Sequence, residues 1–236
     1  MEKMKKKVEE KKERGKQSLE KYKILFWILL IIILVVIVIC IGRKIVILNS
    51  LSQNAKKYAQ ATNYYTKMYM YQGEDSVLME SFYKDNKNLT TLTTLKGNNK
   101  SIEYNDGKDT TTYLESNGQK IAFENSDYKI STFTSLEQYK EYITVSFANV
   151  FGSKIISTIC NGRECYYISE VNNSQNLEGT SVFVDKETGL PIRILQGGTK
   201  SEGNEMNTII DFDFEFNNVK DKDIVKPDIR EYKVQE

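Results

Sequence analysis

Residues 184–194 read VDKETGLPIRI and contain a complete strand, turn and strand pattern. The first strand leads into a charged turn that ends in Thr188-Gly189, and Leu190-Pro191 then lead into the second strand. Gly189 suits the turn because glycine adopts positive φ angles without the steric cost that other residues meet. The stretch therefore predicts a β-hairpin.

Strand patterns continue on both sides of this hairpin. Residues 64–71 alternate with a period of two, and clusters rich in Gly, Asn and Asp separate the strands that follow. The Asp106-Gly107 and Asn117-Gly118 dipeptides are strong hairpin signals. The predicted strands cover residues 64–71, 76–85, 88–96, 101–105, 110–115, 120–124, 154–160, 165–170, 180–185, 190–196 and 207–217.

The last of these strands, 207–217, alternates acidic and aromatic residues over 211–216. This alternation predicts one solvated face and one buried face. An acid pair or a cation site is the alternative interpretation of its carboxylates.

Two amphipathic patterns predict helices among the strands. Residues 49–62 carry one apolar stripe, and residues 135–152 begin with a capping box formed by Ser135 and Gln138. The second pattern has little cationic bias, so we expect this helix to pack on the sheet instead of lying on a membrane.

An uncharged stretch near the N-terminus, residues 24–42, reads ILFWILLIIILVVIVICIG. At ~1.5 Å per residue it spans roughly 28 Å, close to the ~30 Å hydrocarbon core of a bilayer. We therefore predict a basic arm at 1–23, a transmembrane helix at 24–48 and an outer domain at 49–236. A buried core helix, a cleaved signal peptide and acylation of Cys40 are the alternatives.

Charge predicts the orientation of this span. Ten basic residues precede it, whereas the flank directly after it carries two, Arg43 and Lys44, and residues 45–236 as a whole are acidic. The positive-inside rule places the arm in the cytoplasm and residues 49–236 outside, as in a single-pass protein of the cell membrane. The formal net charge of the whole chain is only +1, so nothing indicates a nucleic-acid partner.

Composition excludes several kinds of chemistry. The chain has no histidine, which removes Ser-His-Asp and Cys-His nucleophiles and every His-ligated metal site. Its three cysteines are too few for a four-thiolate zinc site. No convergent set of other side chains indicates catalysis, so we expect no enzyme activity, no cofactor and no metal.

Cys160 and Cys165 flank the hairpin signal Asn161-Gly162. A tight turn would place the two thiols opposite each other, and an exterior compartment favours oxidation. We expect a structural disulfide between them. Free thiols and an active redox pair are the alternatives.

The hairpin at 184–194 resembles the corresponding hairpin of the outer-membrane lipoprotein carrier superfamily. That group includes LolA and LolB, the LppX and LprG lipid carriers and the RseB envelope-stress regulators. The order of elements is also similar: a helix, strands that include YNDGK at 104–108, a central helix and further strands. The resemblance covers about residues 50–232. It implies an α+β fold, a half-open antiparallel β-barrel covered by a few helices, here preceded by a single transmembrane helix.

A concave apolar face that holds acyl chains or docks a partner is the function that this resemblance implies. We therefore expect a membrane-anchored module that holds a lipid, a lipoprotein or a lipidated polymer. The candidate lining residues, which an ordinary core would use equally well, are Met68, Met70, Leu78, Phe147, Phe151, Val182, Val184, Phe212, Phe214 and Phe216.

Two alternatives place the function elsewhere. A cell-envelope regulator or scaffold, similar to RseB or to proteins that support cell-wall hydrolases, would bind a protein partner on the outside of the sheet. A tethered subunit of a secretion channel would form ring-like oligomers.

Overall fold

The structure, a computed structural model, describes residues 2–72, 75–97, 99–124, 136, 139, 145–169, 180–196 and 208–235. Within these ranges the chain forms a long helix α1, a short helix α2 and twelve strands. The chain divides into two compact units, Met1–Val46 and Ile47–Glu236.

The first unit belongs to α1, which runs as one helix over Glu2–Ala59. Its portion Lys21–Ala59 is long and apolar enough to cross a membrane, and the most apolar part is unburied. This stretch is therefore a candidate membrane anchor or signal. The sequence predicts a separate helix at 49–62, whereas α1 continues without a break into this region because neither proline nor a turn cluster interrupts residues 43–59.

The second unit is built on one antiparallel sheet with a single parallel strand at its edge. The strands are β1 (Asn63–Gln72), β2 (Asp75–Lys84), β3 (Lys87–Thr94), β4 (Asn99–Asn105), β5 (Thr110–Ser116), β6 (Gln119–Glu124), β7 (Ile155–Cys160), β8 (Arg163–Ile168), β9 (Thr180–Asp185), β10 (Pro191–Gln196), β11 (Thr208–Phe216) and β12 (Lys233–Gln235).

Two consecutive meanders make up this sheet. Its order is β12-β6-β5-β4-β3-β2-β1-β11-β10-β9-β8-β7, so β1 and β11 join the two meanders. Tight turns shape the hairpins: Asn117-Gly118 and Asn161-Gly162 have positive φ at both positions, as two-residue hairpin turns require. Among the described strands, the two ends of the sheet do not pair with each other, so the barrel is open. The α+β fold with a large open antiparallel sheet agrees with the sequence-based expectation.

One side of the sheet, called the inner face here, carries the buried side chains of β1 and β11, including Met68 and Phe212. The last turns of α1 pack against this unit through Leu48, Leu51 and Ala55, which are buried.

The loop of the β9–β10 hairpin, residues 185–190, contacts the last turns of helix α1. The Asn54 side chain donates to the Lys186 carbonyl at 3.2 Å, and Gly189 faces the backbone of Leu51.

Helix α2 covers Phe147–Phe151, near the end of the helix predicted at 135–152. Ser146 caps it by accepting a hydrogen bond from the Asn149 backbone at 3.1 Å, and Gly152 follows its last residue. The predicted capping box at Ser135 and Gln138 lies outside the described residues.

Candidate binding faces of the sheet

Five of the predicted lining residues lie together on the inner face. Strand register aligns Met68 with Phe212, and Thr66 with Phe214, while β9 contributes two valines to the same side. The members that are buried are Met68, Val182, Val184, Phe212 and Phe214. The Tyr139 ring packs edge-on against Phe212 and Phe214, with ring centres 5.3 and 5.6 Å apart. This part of the inner face is therefore filled by the protein's own side chains.

The other candidates have different surroundings. Met70 is half-buried on the inner face, and the Phe216 ring lies 4.8 Å from the ring of Tyr58 on α1. Phe151 is 53% exposed at the end of α2. The side chain of Phe147 lies outside the described residues.

Leu78 lies on the opposite, outer face of the sheet. Register pairs Tyr69 with Leu78 and Met68 with Met79, so Met79 takes the inner position that was expected for Leu78. Met79 is fully buried and was missed, because the run Val77-Leu78-Met79 has no alternation that distinguishes the two faces.

A polar row also crosses the inner face and was not anticipated from the sequence. Register aligns its members across five neighbouring strands, and the hydroxyl oxygens of Ser81 and Thr90 are 3.0 Å apart. The row consists of Thr66, Ser81, Thr90, Glu103 and Thr112, all of which are buried. Hydroxyl and carboxyl groups need hydrogen-bond partners when buried, so this row gives the β2–β5 half of the inner face a polar character.

The outer face of β1 and β2 carries a partly exposed aromatic patch. We call Tyr65, Tyr69, Leu78 and Phe82 the outer strip. The rings of Tyr65 and Phe82 are 4.7 Å apart, and the Tyr65 hydroxyl donates to Glu80 at 2.7 Å. Burial, followed by the hydrogen bond to the Glu80 carboxylate, raises the pKa of Tyr65. The strip thus offers aromatic rings beside a fixed carboxylate, with the Lys67 ammonium 5.1 Å from the centre of the Tyr69 ring.

Arginine side chains pair with the acidic row of β11 beside this strip. Arg193 donates to both oxygens of Asp211, from Nε at 2.5 Å and from Nη2 at 2.9 Å. Arg163 donates to Asp213 at 2.8 Å. The predicted solvated face therefore exists, with two of its carboxylates held in ion pairs. Among the described residues, no group of three or more Cys, Asp and Glu is placed to hold a metal ion.

Charged residues also line an open cleft of about 530 Å³ at the turn end of β8 and β9. Its walls are Arg163, Glu164, Asp185, Lys186 and Glu187. Lys186 pairs with Glu164 at 3.1 Å across it. A cleft lined by both signs of charge does not suit an acyl chain.

The C-terminal segment covers the outer face of the other half of the sheet. Ile229 and Tyr232 pack against the buried cluster of Ile102, Tyr113 and Ala122. The rings of Tyr113 and Tyr232 are 4.8 Å apart, and β12 pairs with β6 in parallel. The Tyr232 hydroxyl donates to Glu115. No strand was predicted after residue 217, so the pairing of β12 with β6 was missed.

The structure contradicts the predicted disulfide. Both thiols are free and buried, and register places Cys160 opposite Arg163 and Cys165 opposite Thr158. The turn contains only Asn161 and Gly162, so the cysteines are diagonal neighbours. Diagonal Cα atoms are about 7–8 Å apart, beyond the roughly 4.4–6.8 Å that a disulfide bridges. Burial raises the pKa of Cys165 to about 11, which keeps it a neutral thiol.

No protein-family model matches this chain, and no curated protein matches it. Solved structures do match. An uncharacterized conserved protein from Thermus thermophilus has a TM-score of 0.45 and 11% identity, covering 79% of this chain and 97% of that chain. The Pseudomonas aeruginosa MucA/MucB complex structure has a TM-score of 0.41 and 13% identity, covering 78% of this chain and 61% of that chain.

A third solved structure is a LolA superfamily protein from Nitrosomonas europaea. Its TM-score is 0.28 at 9% identity, and the match covers 75% of this chain and 97% of that chain.

Proposed function

We propose that this chain is a non-enzymatic binding module whose sheet docks an extended segment of a partner protein on the outer strip. The observation that carries the proposal is the contrast across the outer face. The chain's own C-terminal segment covers β4–β6, whereas Tyr65, Tyr69, Leu78 and Phe82 on β1 and β2 stay partly exposed.

The covered half indicates what the uncovered half can bind. The Tyr232 ring of the C-terminal segment packs edge-on against Tyr113, and its hydroxyl donates a hydrogen bond to Glu115 on β5. The outer strip repeats these elements, because Tyr65 and Phe82 supply rings and Glu80 supplies a carboxylate. An extended segment with an aromatic anchor and a hydrogen-bond donor fits this chemistry.

The proposal also includes a location, with the chain anchored in a membrane and the sheet outside the cell. The uncharged stretch at 24–42 supports an anchor, and the ten basic residues before it support a cytoplasmic N-terminus. The sheet would then work outside the cell membrane as an envelope regulator or scaffold. A permanent tether would keep it close to partners in the same membrane.

A second candidate is a lipid or lipoprotein ligand on the inner face. The three methionines Met68, Met70 and Met79 favour it, because flexible thioethers suit adaptable apolar sites. The burial of Met68, Met79, Phe212 and Phe214 weighs against it, since such a ligand needs that space. We therefore place this candidate second.

Site-specific photo-crosslinking in host membranes tests the proposal. A benzophenone side chain replaces Tyr69 in the full chain, and Lys222, in the exposed turn after β11, receives it in a control. We expect one adduct of defined mass from position 69 and none from position 222. Leu78→Lys should reduce that adduct about tenfold by burying a charge, while Leu78→Met should keep it within about twofold.

Three results would overturn the proposal. They are the absence of an adduct from position 69, equal adducts from both positions, and an adduct that Leu78→Lys leaves unchanged. Native mass spectrometry of the same full chain separates the second candidate. An added mass that extracts into organic solvent would identify a bound lipid instead of a protein segment.

A further inference from the structure

The two edges of the open sheet differ in their protection. Among the described residues, one edge ends in β12, which has three residues and begins with Lys233, beside β6 with Lys120 and Glu124. Charges and short strands of this kind prevent unwanted pairing at sheet edges.

The other edge ends in β7, which has the sequence IISTIC and carries no charge and no proline. Two of its isoleucines face solvent: Ile156 is 42% exposed and Ile159 is 72% exposed. A β-branched, uncharged edge strand is a template for pairing with another strand.

The hairpin geometry identifies which backbone groups of β7 point away from β8. The Ser169 N–H donates to the Lys154 carbonyl at 3.0 Å, which places residue 154 in the set bonded to β8. Bonded positions alternate along an antiparallel strand, so residues 156, 158 and 160 belong to the same set. The N–H and C=O groups of Ile155, Ser157 and Ile159 therefore point outward.

We propose that two copies of this chain pair through β7, antiparallel, about a twofold axis at Ser157. Outward-pointing residues then pair with one another: Ser157 faces the partner's Ser157, and Ile155 faces the partner's Ile159. On the opposite face of the extended sheet, Ile156 lies beside the partner's Thr158. From Ile155 to Ile159 every contact joins apolar or hydroxyl side chains, so no charge is buried between these residues. Lys154, which this register places beside the partner's Cys160, is exposed at the end of the contact.

The self-complementarity of this register selects a second copy as the occupant. In both copies the exposed Ile159 gains the partner's Ile155 as a neighbour. The outward N–H and C=O groups of one copy are equal in number to those of the other, so each finds a hydrogen-bond partner. A twofold contact closes on itself, so the result is a dimer and not a fibre. Pairing β7 with the charged β12 edge would lack both features.

The expected dimer is weak in dilute solution. A six-residue strand contact stays below the roughly 1,200 Å² of standard interfaces. Anchoring in one membrane would raise the effective concentration of the two copies and offset this weakness. The inference is independent of the proposed function, because β7 lies at the sheet edge and the outer strip lies on the central strands β1 and β2.

Disulfide trapping in the membranes of expressing cells tests the dimer. The full chain carries Cys40→Ala to remove the exposed native thiol, and Ser157→Cys adds a thiol at the twofold axis. Hydrogen-bonded cross-strand Cα atoms are about 5.5 Å apart, within reach of a disulfide. We expect covalent dimers from Ser157→Cys on mild oxidation, but none from the Cys40→Ala parent. Val234→Cys, on β12, is the matched control at the other edge and should give none.

A second substitution in the same background tests the role of the strand. Ile159→Lys should lower the trapped fraction at least about tenfold, because it places a charge beside the partner's Ile155. Ile159→Val should stay within about twofold of the parent fraction. Ser157 and Ile159 are both exposed, so we expect their substitutions to leave the fold intact, and far-UV circular dichroism checks this.

Absence of dimers from Ser157→Cys would overturn the inference. Equal trapping through Val234→Cys would do so too, as would Ile159→Lys without effect on the trapped fraction.

Discussion

Replacing Gly189 with alanine should be the most damaging small substitution in the β9–β10 hairpin. Gly189 has a φ of +70°, and an added Cβ would lie 2.2 Å from the Leu51 carbonyl oxygen and 2.7 Å from the Ala55 nitrogen. Both contacts are to helix backbone, so the last turns of α1 must shift by about 1 Å to relieve them. The shift loosens the buried side chains of Leu48, Leu51 and Ala55.

The magnitude follows from two contributions. The left-handed backbone costs a non-glycine residue about 1–2 kcal/mol, and overpacking a fitted contact costs about 1–3 kcal/mol. We therefore expect Gly189→Ala to lower the free energy of unfolding by about 2–5 kcal/mol. Gly118→Ala is the matched control, because Gly118 has a φ of +78° and no atom near the added Cβ. It should lose only the backbone contribution, about 1–2 kcal/mol.

Urea titration of the full chain in detergent micelles, followed by near-ultraviolet circular dichroism, measures the difference. With a slope of about 2 kcal/mol per molar urea, Gly189→Ala should lower the midpoint by about 1–2.5 M and Gly118→Ala by about 0.5–1 M. Hydrogen exchange should also show faster exchange over residues 48–59 in Gly189→Ala alone. Equal midpoints and equal exchange for the two variants would refute the reasoning, because the clash with Leu51 and Ala55 would then cost nothing.

Three further outcomes can be measured on the same material. Arg193→Ala should lower the free energy of unfolding by about 1 kcal/mol in urea titration, since it removes both bonds to Asp211, while Arg193→Lys should lose less by keeping the charge; identical losses would contradict a role for the charge. Cys165 should react with iodoacetamide at pH 8 about 100-fold more slowly than an ordinary thiol. Burial raises its pKa to about 11 from a usual value near 9, so the fraction present as thiolate falls by about that factor. The buried Cys165 thiol contributes to the free energy of unfolding below about pH 9, and this contribution declines toward about pH 11 because only the thiol of the unfolded chain ionises in that range. A thermal midpoint that rises between these pH values would contradict this. Tyr232→Ala should cost about 1–2 kcal/mol by uncovering Tyr113, with faster hydrogen exchange in β6, while Tyr232→Phe, which keeps the ring, should cost about 1 kcal/mol or less; equal effects of the two would assign the role to the hydroxyl alone.

Local signals explain why most strands could be predicted. Asn117-Gly118 and Asn161-Gly162 adopt positive φ angles that few other residues tolerate, so their turns are encoded within two positions. Strand β11 alternates Asp211, Phe212 and Asp213 strictly, and its faces were correctly anticipated.

Face and partner assignments failed where the local pattern is ambiguous. In β2, Leu78 and Met79 are both apolar, and only pairing with β1 determines that Met79 points inward. Cys160 and Cys165 were expected to be opposite each other, but the two-residue turn shifts them by two positions. The three-residue strand β12 was missed because its pairing with β6 depends on residues more than a hundred positions away.

The sequence by itself determined the uncharged N-terminal stretch, the hairpin turns and the strand alternation, because each depends on residues that are neighbours along the chain. Only the tertiary structure decided the β1–β11 junction, the polar row on the inner face and the open β7 edge. These features come from pairing between distant segments. A shift of one residue in such a pairing turns every side chain of a strand to the other face, and no local pattern specifies it.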